Sequence, residues 1–217
     1  MSIAVKLVLA ILTIGTFGCA SNLNCIIPVD FVKYEKEFVP GLTGLTQKDV
    51  DKIFARQLIE INQNTIDKEL PNIMVMNMQS RQVKLKSVVN GQTLLCLSGA
   101  HCGWGIDALV NGVPGALKKA KNEDMKIKAV CLFIKEDPEN ENMEIFNSKL
   151  NELRPLYKNL FIISSQEAKR LNVIANPTIM LVDKKKVVVD IYMEDATEEA
   201  LYEYIKTKTT HNTTNTN

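Results

Sequence analysis

The most constraining feature of this sequence is an apolar run that leads to a cysteine. Residues 92–97 (QTLLCL) form a short apolar segment bounded by glycines, which is typical of a buried strand. A turn of small residues and the sequence HCGWG at 101–105 follow, and residues 106–120 have a helical pattern. The sequence therefore predicts a strand, a tight turn and a helix that begins close to Cys102.

The region from residue 73 alternates between strand-like and helix-like patterns. Further predicted strands are 73–78, 82–85, 125–134, 159–163, 178–183 and 187–192, and further predicted helices are 145–157, 166–171 and 197–206. The first two strands read as a hairpin, and the last two read as an antiparallel pair joined by a turn of three lysines. This order predicts an α/β domain in which a central mixed β-sheet is flanked by helices on both faces.

A second motif lies at 173–183 (VIANPTIMLVD), where a Pro-Thr pair directly precedes an apolar strand. Together with residues 94–105, it resembles the thioredoxin-like superfamily, in which a cis-proline loop lies opposite a cysteine that opens a helix. The N-terminal hairpin and the helical insertion between Ile134 and Phe161 are similar to the TlpA-like branch of envelope thiol-disulfide oxidoreductases. The resemblance covers residues 73–206 and implies a thioredoxin fold.

Cys102 is the reactive cysteine that this resemblance implies. A thiolate is the nucleophile in disulfide exchange, and the amino end of a helix favours the anion over a thiol whose free pKa is ~8.5. His101, when protonated, adds to this effect. The resemblance further implies that the Asn176–Pro177 peptide is cis and faces Cys102, so that an extended substrate can pair beside the sulfur. The expected partners are protein or small thiol and disulfide substrates, and no cofactor is expected.

The motif Cys102-Gly103-Trp104-Gly105 departs from the family at Gly105, where a second cysteine normally breaks the mixed disulfide. One alternative is a monothiol enzyme, resolved by an external reductant thiol or by the second thiol of its substrate. Another is a binding module that keeps the fold without efficient redox cycling. A peroxidase is disfavoured, because peroxiredoxins have Thr and Pro where this chain has Gly99 and Leu95.

Two residues near Cys102 have two interpretations each. Cys96 could act as the resolving thiol, but a small buried side chain in a strand is the simpler interpretation. Trp104 either presents an aromatic surface beside the sulfur or packs down on the domain. The five cysteines and two histidines of the chain match no zinc-binding spacing, so a structural metal site is not expected.

Residues 1–18 have the pattern of a signal peptide, in which Lys6 precedes an apolar run at 7–17. Gly18-Cys19-Ala20 resembles a bacterial lipoprotein cleavage box, which predicts that a lipid on Cys19 anchors the protein to the membrane. Ordinary cleavage at a nearby small residue is the alternative and would give a soluble exported protein. Both interpretations place the domain outside the cytosol, on the periplasmic side of the cell envelope.

The segments that flank the predicted domain are simpler. Residues 19–72 form a leader and a helical segment, with Thr46 and Asp49 placed for a capping box. Residues 207–217 are rich in Thr and Asn and are expected to be disordered. Without residues 1–18, whose one charge is Lys6, the chain has 25 basic and 25 acidic residues. This balance gives no electrostatic reason to expect nucleic acid as a partner.

Overall fold

A mixed sheet of seven strands forms the centre of the computed structural model, which describes residues 24–31, 33–34, 46–136, 142–173, 177–193 and 196–214. Its strands are β1 (Met74–Asn77), β2 (Gln82–Lys84), β3 (Thr93–Gly99), β4 (Lys128–Lys135), β5 (Leu160–Ser164), β6 (Thr178–Val182) and β7 (Val188–Tyr192). The order across the sheet is β2-β1-β5-β4-β3-β6-β7. Strand β3 runs parallel to β4 and antiparallel to β6. The mixed sheet and the hairpin before its first core strand are therefore confirmed.

Helices lie between these strands and on both sides of the sheet. They are α1 (Gln47–Thr65), α2 (Leu85–Val88), α3 (Gly103–Asp107), α4 (Val113–Asn122), α5 (Met143–Leu153), α6 (Ser165–Lys169) and α7 (Glu198–Thr214). A π-helical turn at Ala108–Gly112 joins α3 to α4, directly before Pro114, which has no N–H to donate to the preceding turn. No helix in the described part of the chain is both long and apolar enough to cross a bilayer.

The core has two halves because successive side chains of β3 point to opposite faces of the sheet. Leu94 and Cys96 pack with residues of α4, α5 and α7 on one face. Leu95 and Leu97 pack on the other face with residues that include Leu70 and Leu171. All seven residues of β3 are buried, so this central strand fixes the position of the turn that follows it.

One buried side chain helps to hold the N-terminal leader against the domain. Asn172 is fully buried with a φ of 58°, and its Oδ1 accepts a hydrogen bond of 2.7 Å from the backbone N–H of Val29. Its Nδ2 donates to the carbonyl of Ile27 at 3.0 Å and to Oγ1 of Thr65 at 2.8 Å. The leader, the end of α1 and the loop after α6 thus meet at Asn172.

Two of the differences from the predicted helix boundaries have a clear cause or consequence in the structure. Helix α5 begins at Met143 because the side chain of Asn142 caps it by accepting from two backbone amides. Helix α7 continues past the expected boundary at 206, so residues 207–214, which were expected to be disordered, are helical. An ion pair of 2.7 Å between Lys208 and Asp190 of β7 ties this extension to the sheet. By contrast, the predicted capping box at Thr46 is present.

Candidate functional site

Cys102 lies at the junction between the central strand and the helix that follows it. The chain turns at Ala100 and His101, and Cys102 then occupies the N-cap position of α3 with extended backbone angles. Its N–H donates to the carbonyl of Gly99 over 3.4 Å, and its carbonyl accepts from the N–H of Ile106 over 2.9 Å. The buried strand and the first helical turn therefore fix the backbone on both sides of the cysteine.

Cys102 is partly exposed, and its sulfur accepts a hydrogen bond. The backbone N–H of Gly105 donates to Sγ over 3.3 Å. The other amide groups of the first helical turn point toward the same end of the helix, where the partial charge is positive. The geometry suits nucleophilic attack by Cys102 from the side that faces solvent.

The solvent side of the cysteine is open and carries an aromatic side chain. Trp104 is 79% exposed, so the interpretation in which it packs down on the domain is wrong. A Cβ built on Gly103 would have no atom within 4 Å, and His101 is exposed as well. The face beside Cys102 thus presents one large aromatic surface with little around it.

The inner side of the cysteine is closed by Ser98, a residue that the sequence analysis did not single out. Ser98 is completely buried in β3. A Cβ built on Gly105 would lie 2.0 Å from its Oγ and 3.3 Å from Sγ of Cys102. The available signal was a serine directly after an apolar run, four positions before the cysteine.

The other three described cysteines lie away from this surface. Cys96 and Cys131 are neighbours across β3 and β4 and are fully buried, and burial raises the pKa of both thiols well above the usual range. Cys25 pairs with Glu69, which in turn pairs with Val187 near the start of β7. That position is at the opposite end of β3 from Cys102, roughly 20 Å away along a strand of this length. No disulfide joins the four cysteines that the structure describes.

Pro177 is half-buried and directly precedes β6, whose first residue, Thr178, pairs with Leu97. Because β6 runs antiparallel to β3, its start lies beside the end of β3, where the turn to Cys102 begins. The structure thus brings Pro177 and Cys102 to the same edge of the sheet. Asn176 lies outside the described residues, so the cis peptide stays a prediction.

Other features of the described surface lie apart from the motif. An open groove of about 450 Å³ lies along β1 and the carboxyl ends of β4 and β5, and its lining includes Met74, Met76 and Glu167. None of the residues that line it belongs to the segment 98–105. Within the described ranges, no group of three or more His, Cys, Asp or Glu side chains is placed to hold a metal ion.

Comparison with known proteins identifies structural likeness without close sequence relatives. No protein-family model and no curated protein sequence matches the chain. A candidate protein disulfide isomerase from Bacteroides thetaiotaomicron aligns with a TM-score of 0.50 at 13% identity, over 66% of this chain and 87% of that protein. A thioredoxin-like protein from Bacteroides caccae aligns with a TM-score of 0.49 at 19% identity, over 80% of this chain. The chain spans 60% of the length of that second protein.

The likeness to the Bacteroides thetaiotaomicron protein, at this level of identity, concerns the fold. The shared architecture is the one that the sequence predicts, and the predicted fold is confirmed. The chemistry of the site therefore depends on the residues around Cys102, which the likeness in fold does not describe.

Proposed function

We propose that this chain, whose fold is that of the thioredoxin-like superfamily, carries out thiol–disulfide exchange or isomerisation with Cys102 as its single reactive thiol. The observation that supports the proposal most strongly is the environment of Sγ. Cys102 is partly exposed at the start of a helix, and its sulfur accepts a hydrogen bond from the N–H of Gly105 over 3.3 Å. This combination places a hydrogen-bonded cysteine sulfur at a surface that a second molecule can reach.

The first step joins the protein to its substrate. The thiolate of Cys102 attacks one sulfur of a substrate disulfide, a new S–S bond forms, and the substrate's second sulfur leaves as a thiolate that takes a proton from water. The protein is then held in a mixed disulfide. No net oxidation has occurred, because one disulfide has replaced another.

The second step releases the protein. If another thiol of the same substrate attacks the substrate sulfur of the mixed disulfide, Cys102 returns as a thiolate and the substrate is isomerised, whereas attack by the original leaving thiolate only reverses the first step. If an external thiol attacks that sulfur, Cys102 again returns. A second molecule of the thiol then completes reduction of the substrate, and the external thiol ends as the oxidised product.

The resolving thiol is proposed to come from outside the chain. Cys96 and Cys131 are fully buried, and their raised pKa keeps them protonated and unreactive near neutral pH. Ser98 points to the same face of β3 as Cys96 and lies closer to the turn. This arrangement supports the interpretation of Cys96 as a buried core side chain rather than as the resolving thiol.

Substrate binding is proposed to use the surface around the sulfur. Trp104 offers an exposed aromatic face on one side of Cys102, and Pro177 lies at the same sheet edge. An extended peptide segment beside Pro177 could pair with the backbone of the Asn176–Pro177 loop, provided that this peptide is cis. The proposed substrates are accordingly proteins with an accessible disulfide, and small disulfides to a lesser extent.

Export and membrane attachment belong to the same proposal. The pattern of residues 1–18 supports secretion, and the box around Cys19 supports a lipid anchor on the periplasmic side of the envelope. Residues 73–206 would form the exchange domain, with 19–72 as a leader that Asn172 fastens to it. A Cys19→Ser variant tests the anchor: it should move from the membrane fraction to the soluble fraction, whereas unchanged fractionation would contradict lipidation.

A trapping experiment tests the exchange function. Cells that express the chain are treated with acid and alkylated, and mixed disulfides are compared between the parent, Cys102→Ser and Cys96→Ala. Mixed disulfides should be present in the parent and in Cys96→Ala and should be lost in Cys102→Ser. Strong accumulation of mixed disulfides in Cys96→Ala relative to the parent would contradict the proposal of an external resolving thiol, because removal of a resolving thiol traps the mixed disulfide.

The alternative function is a binding module without turnover, which the glycine at position 105 favours. The rate at which a small alkylating reagent modifies Cys102 at neutral pH separates the two functions. An exchange enzyme should be alkylated at least about tenfold faster than glutathione. A rate equal to or below that of glutathione would favour the binding module.

A further inference from the structure

Ser98 occupies the space that the Cβ of a cysteine at position 105 would need, beside Cys102. A Cβ built on Gly105 would lie 2.0 Å from Oγ and 3.0 Å from Cβ of Ser98. The first distance is far inside van der Waals contact, and the second is at its lower limit. Rotation of the hydroxyl would relieve the first overlap, but the Cβ contact is set by the backbone of β3.

The backbone itself is arranged as a cysteine pair would need. The built Cβ of Gly105 lies 3.3 Å from Sγ of Cys102, whereas the corresponding distance in a disulfide is about 3 Å. Gly105 is buried and lies in the same helical turn as Cys102. The main obstacle to a disulfide between positions 102 and 105 is therefore the side chain of Ser98.

We propose that Ser98 occupies the site of the second thiol, so that the single-cysteine state is fixed by packing between β3 and α3. This inference rests on the proposed exchange function and deepens it. With Ser98 in place, a mixed disulfide on Cys102 can be resolved only by a thiol of another molecule or of the bound substrate. A cysteine at position 105 alone would not restore an internal resolving thiol.

The hydroxyl of Ser98 has a local partner that keeps it in the buried site. Its Oγ lies 3.3 Å from the carbonyl oxygen of Gly99 and donates to it. A buried hydroxyl without a partner would be costly, and this bond satisfies its proton. Ser98 is thus a positioning residue, which acts on the chemistry of Cys102 by excluding a neighbour.

The test compares three full-length variants in a buffer of reduced and oxidised glutathione. The single variant Gly105→Cys adds the thiol while Ser98 is in place. The double variant, Ser98→Gly with Gly105→Cys, adds the same thiol after Ser98 is removed. The control, Gly103→Cys, adds a thiol at a position where a Cβ meets no atom. Glutathione disulfide supplies the oxidation: it accepts two electrons and two protons from the cysteine pair and leaves as two thiols. Peptide mass spectrometry after alkylation measures the bond between positions 102 and 105, and thermal melting measures folding.

The double variant should form the bond between positions 102 and 105 at a glutathione disulfide concentration at least about tenfold lower than Gly105→Cys, because crowding opposes the single variant. Gly105→Cys should melt lower than the parent, whereas Gly103→Cys should melt with it. Equal oxidation of the single and double variants would overturn the inference. Failure of the double variant to fold or to form the bond would overturn it as well.

This outcome is independent of whether the natural chain exchanges disulfides. The measurement reports only whether Ser98 blocks an engineered bond, so a chain that traps no substrate in cells could still pass it. Conversely, trapping through Cys102 together with easy oxidation of Gly105→Cys would keep the exchange function and remove the role of Ser98.

Discussion

The backbone N–H of Gly105 donates a hydrogen bond to Sγ of Cys102 over 3.3 Å. The residue that stands where related motifs have a second thiol therefore supports the first thiol. Because Gly105 is also packed against Ser98, it cannot accept a side chain without movement of the strand or the helix. Both roles depend on the same close approach between β3 and α3.

Two glycines of the motif should respond oppositely to the same substitution. Gly105→Ala should lower the free energy of unfolding by about 1–3 kcal/mol, since its methyl group would overlap Ser98. Gly103→Ala should raise it by up to about 1 kcal/mol, because its Cβ meets no atom and alanine favours the helix. Urea denaturation of the two variants measures the difference. Equal stabilities would show that the overlap at Gly105 is relieved at no cost.

Trp104 should contribute to the rate of exchange with protein substrates and should contribute little to the stability of the fold. Its side chain is 79% exposed, so Trp104→Ala should change the free energy of unfolding by less than about 0.5 kcal/mol. Exchange with a protein disulfide should slow by about fivefold or more, because an aromatic anchor is lost, while exchange with a small disulfide stays within about twofold. Trp104→Phe is the matched control and should keep most of the rate. Equal slowing with both substrates would mean that the substitution changes the reactivity of Cys102 rather than the contact with a protein substrate.

The chain has one tryptophan, so its fluorescence reports directly on this surface. A mixed disulfide with a protein substrate should shield Trp104 and shift its emission to shorter wavelength. Addition of a thiol that releases the substrate should reverse the shift. An emission spectrum that does not change while mass spectrometry shows the mixed disulfide would mean that substrates avoid Trp104.

Stability should fall at alkaline pH because of the two buried thiols. Burial raises the pKa of Cys96 and Cys131 above the value of ~8.5 that they have in the unfolded chain. Above that pH the unfolded state loses these protons and the folded state keeps them, so unfolding is favoured as pH rises. The slope should reach about 1.4 kcal/mol per pH unit for each thiol between pH ~8.5 and ~10.

The control for this slope is Cys131→Ala, which removes one of the two protons. Denaturation midpoints measured below and above pH ~8.5 should show that this variant loses less stability than the parent as the pH rises. An unchanged slope would mean that other groups, such as buried tyrosines, account for the loss.

Asn172 should be needed for the leader to stay docked. Asn172→Ala removes three hydrogen bonds and leaves the N–H of Val29 and the hydroxyl of Thr65 without this partner, which should cost about 3 kcal/mol or more. Asn172→Gly loses the same bonds but tolerates the φ of 58°, so it should be about 1 kcal/mol less destabilised. The free energies of unfolding of the two variants separate the contribution of the hydrogen bonds from that of the backbone conformation. No loss in either variant would mean that the leader does not depend on this contact.

The sequence predicted the parts of the site that depend on local pattern. An apolar run, a turn of small residues and a helical period place Cys102 at a helix start, and the structure has it there. A Pro-Thr pair before an apolar run likewise predicts the start of β6 at Thr178. Such features are encoded within about ten residues, which is why the order of the elements could be predicted.

Features that depend on distance between elements could not be predicted in this way. The overlap at Gly105 follows from how closely α3 approaches Ser98, and no periodicity encodes that separation. The exposure of Trp104 depends on whether another element covers the first helical turn. Residues 207–214 are helical, and Lys208 in this segment forms an ion pair with Asp190 of β7. The composition of the segment does not reveal this contact with a distant strand.

Exchange through Cys102 alone requires that the resolving thiol comes from another molecule. The most direct measurement follows turnover of a scrambled disulfide protein in a glutathione buffer, with the parent, Cys102→Ser and a variant in which Cys25, Cys96 and Cys131 are all replaced by alanine. This triple variant, confirmed as folded, should keep the rate of the parent, and Cys102→Ser should fall to the uncatalysed rate. A folded triple variant that accumulates as a mixed disulfide without turnover, or full turnover in Cys102→Ser, would show that exchange does not depend on Cys102 and an outside thiol.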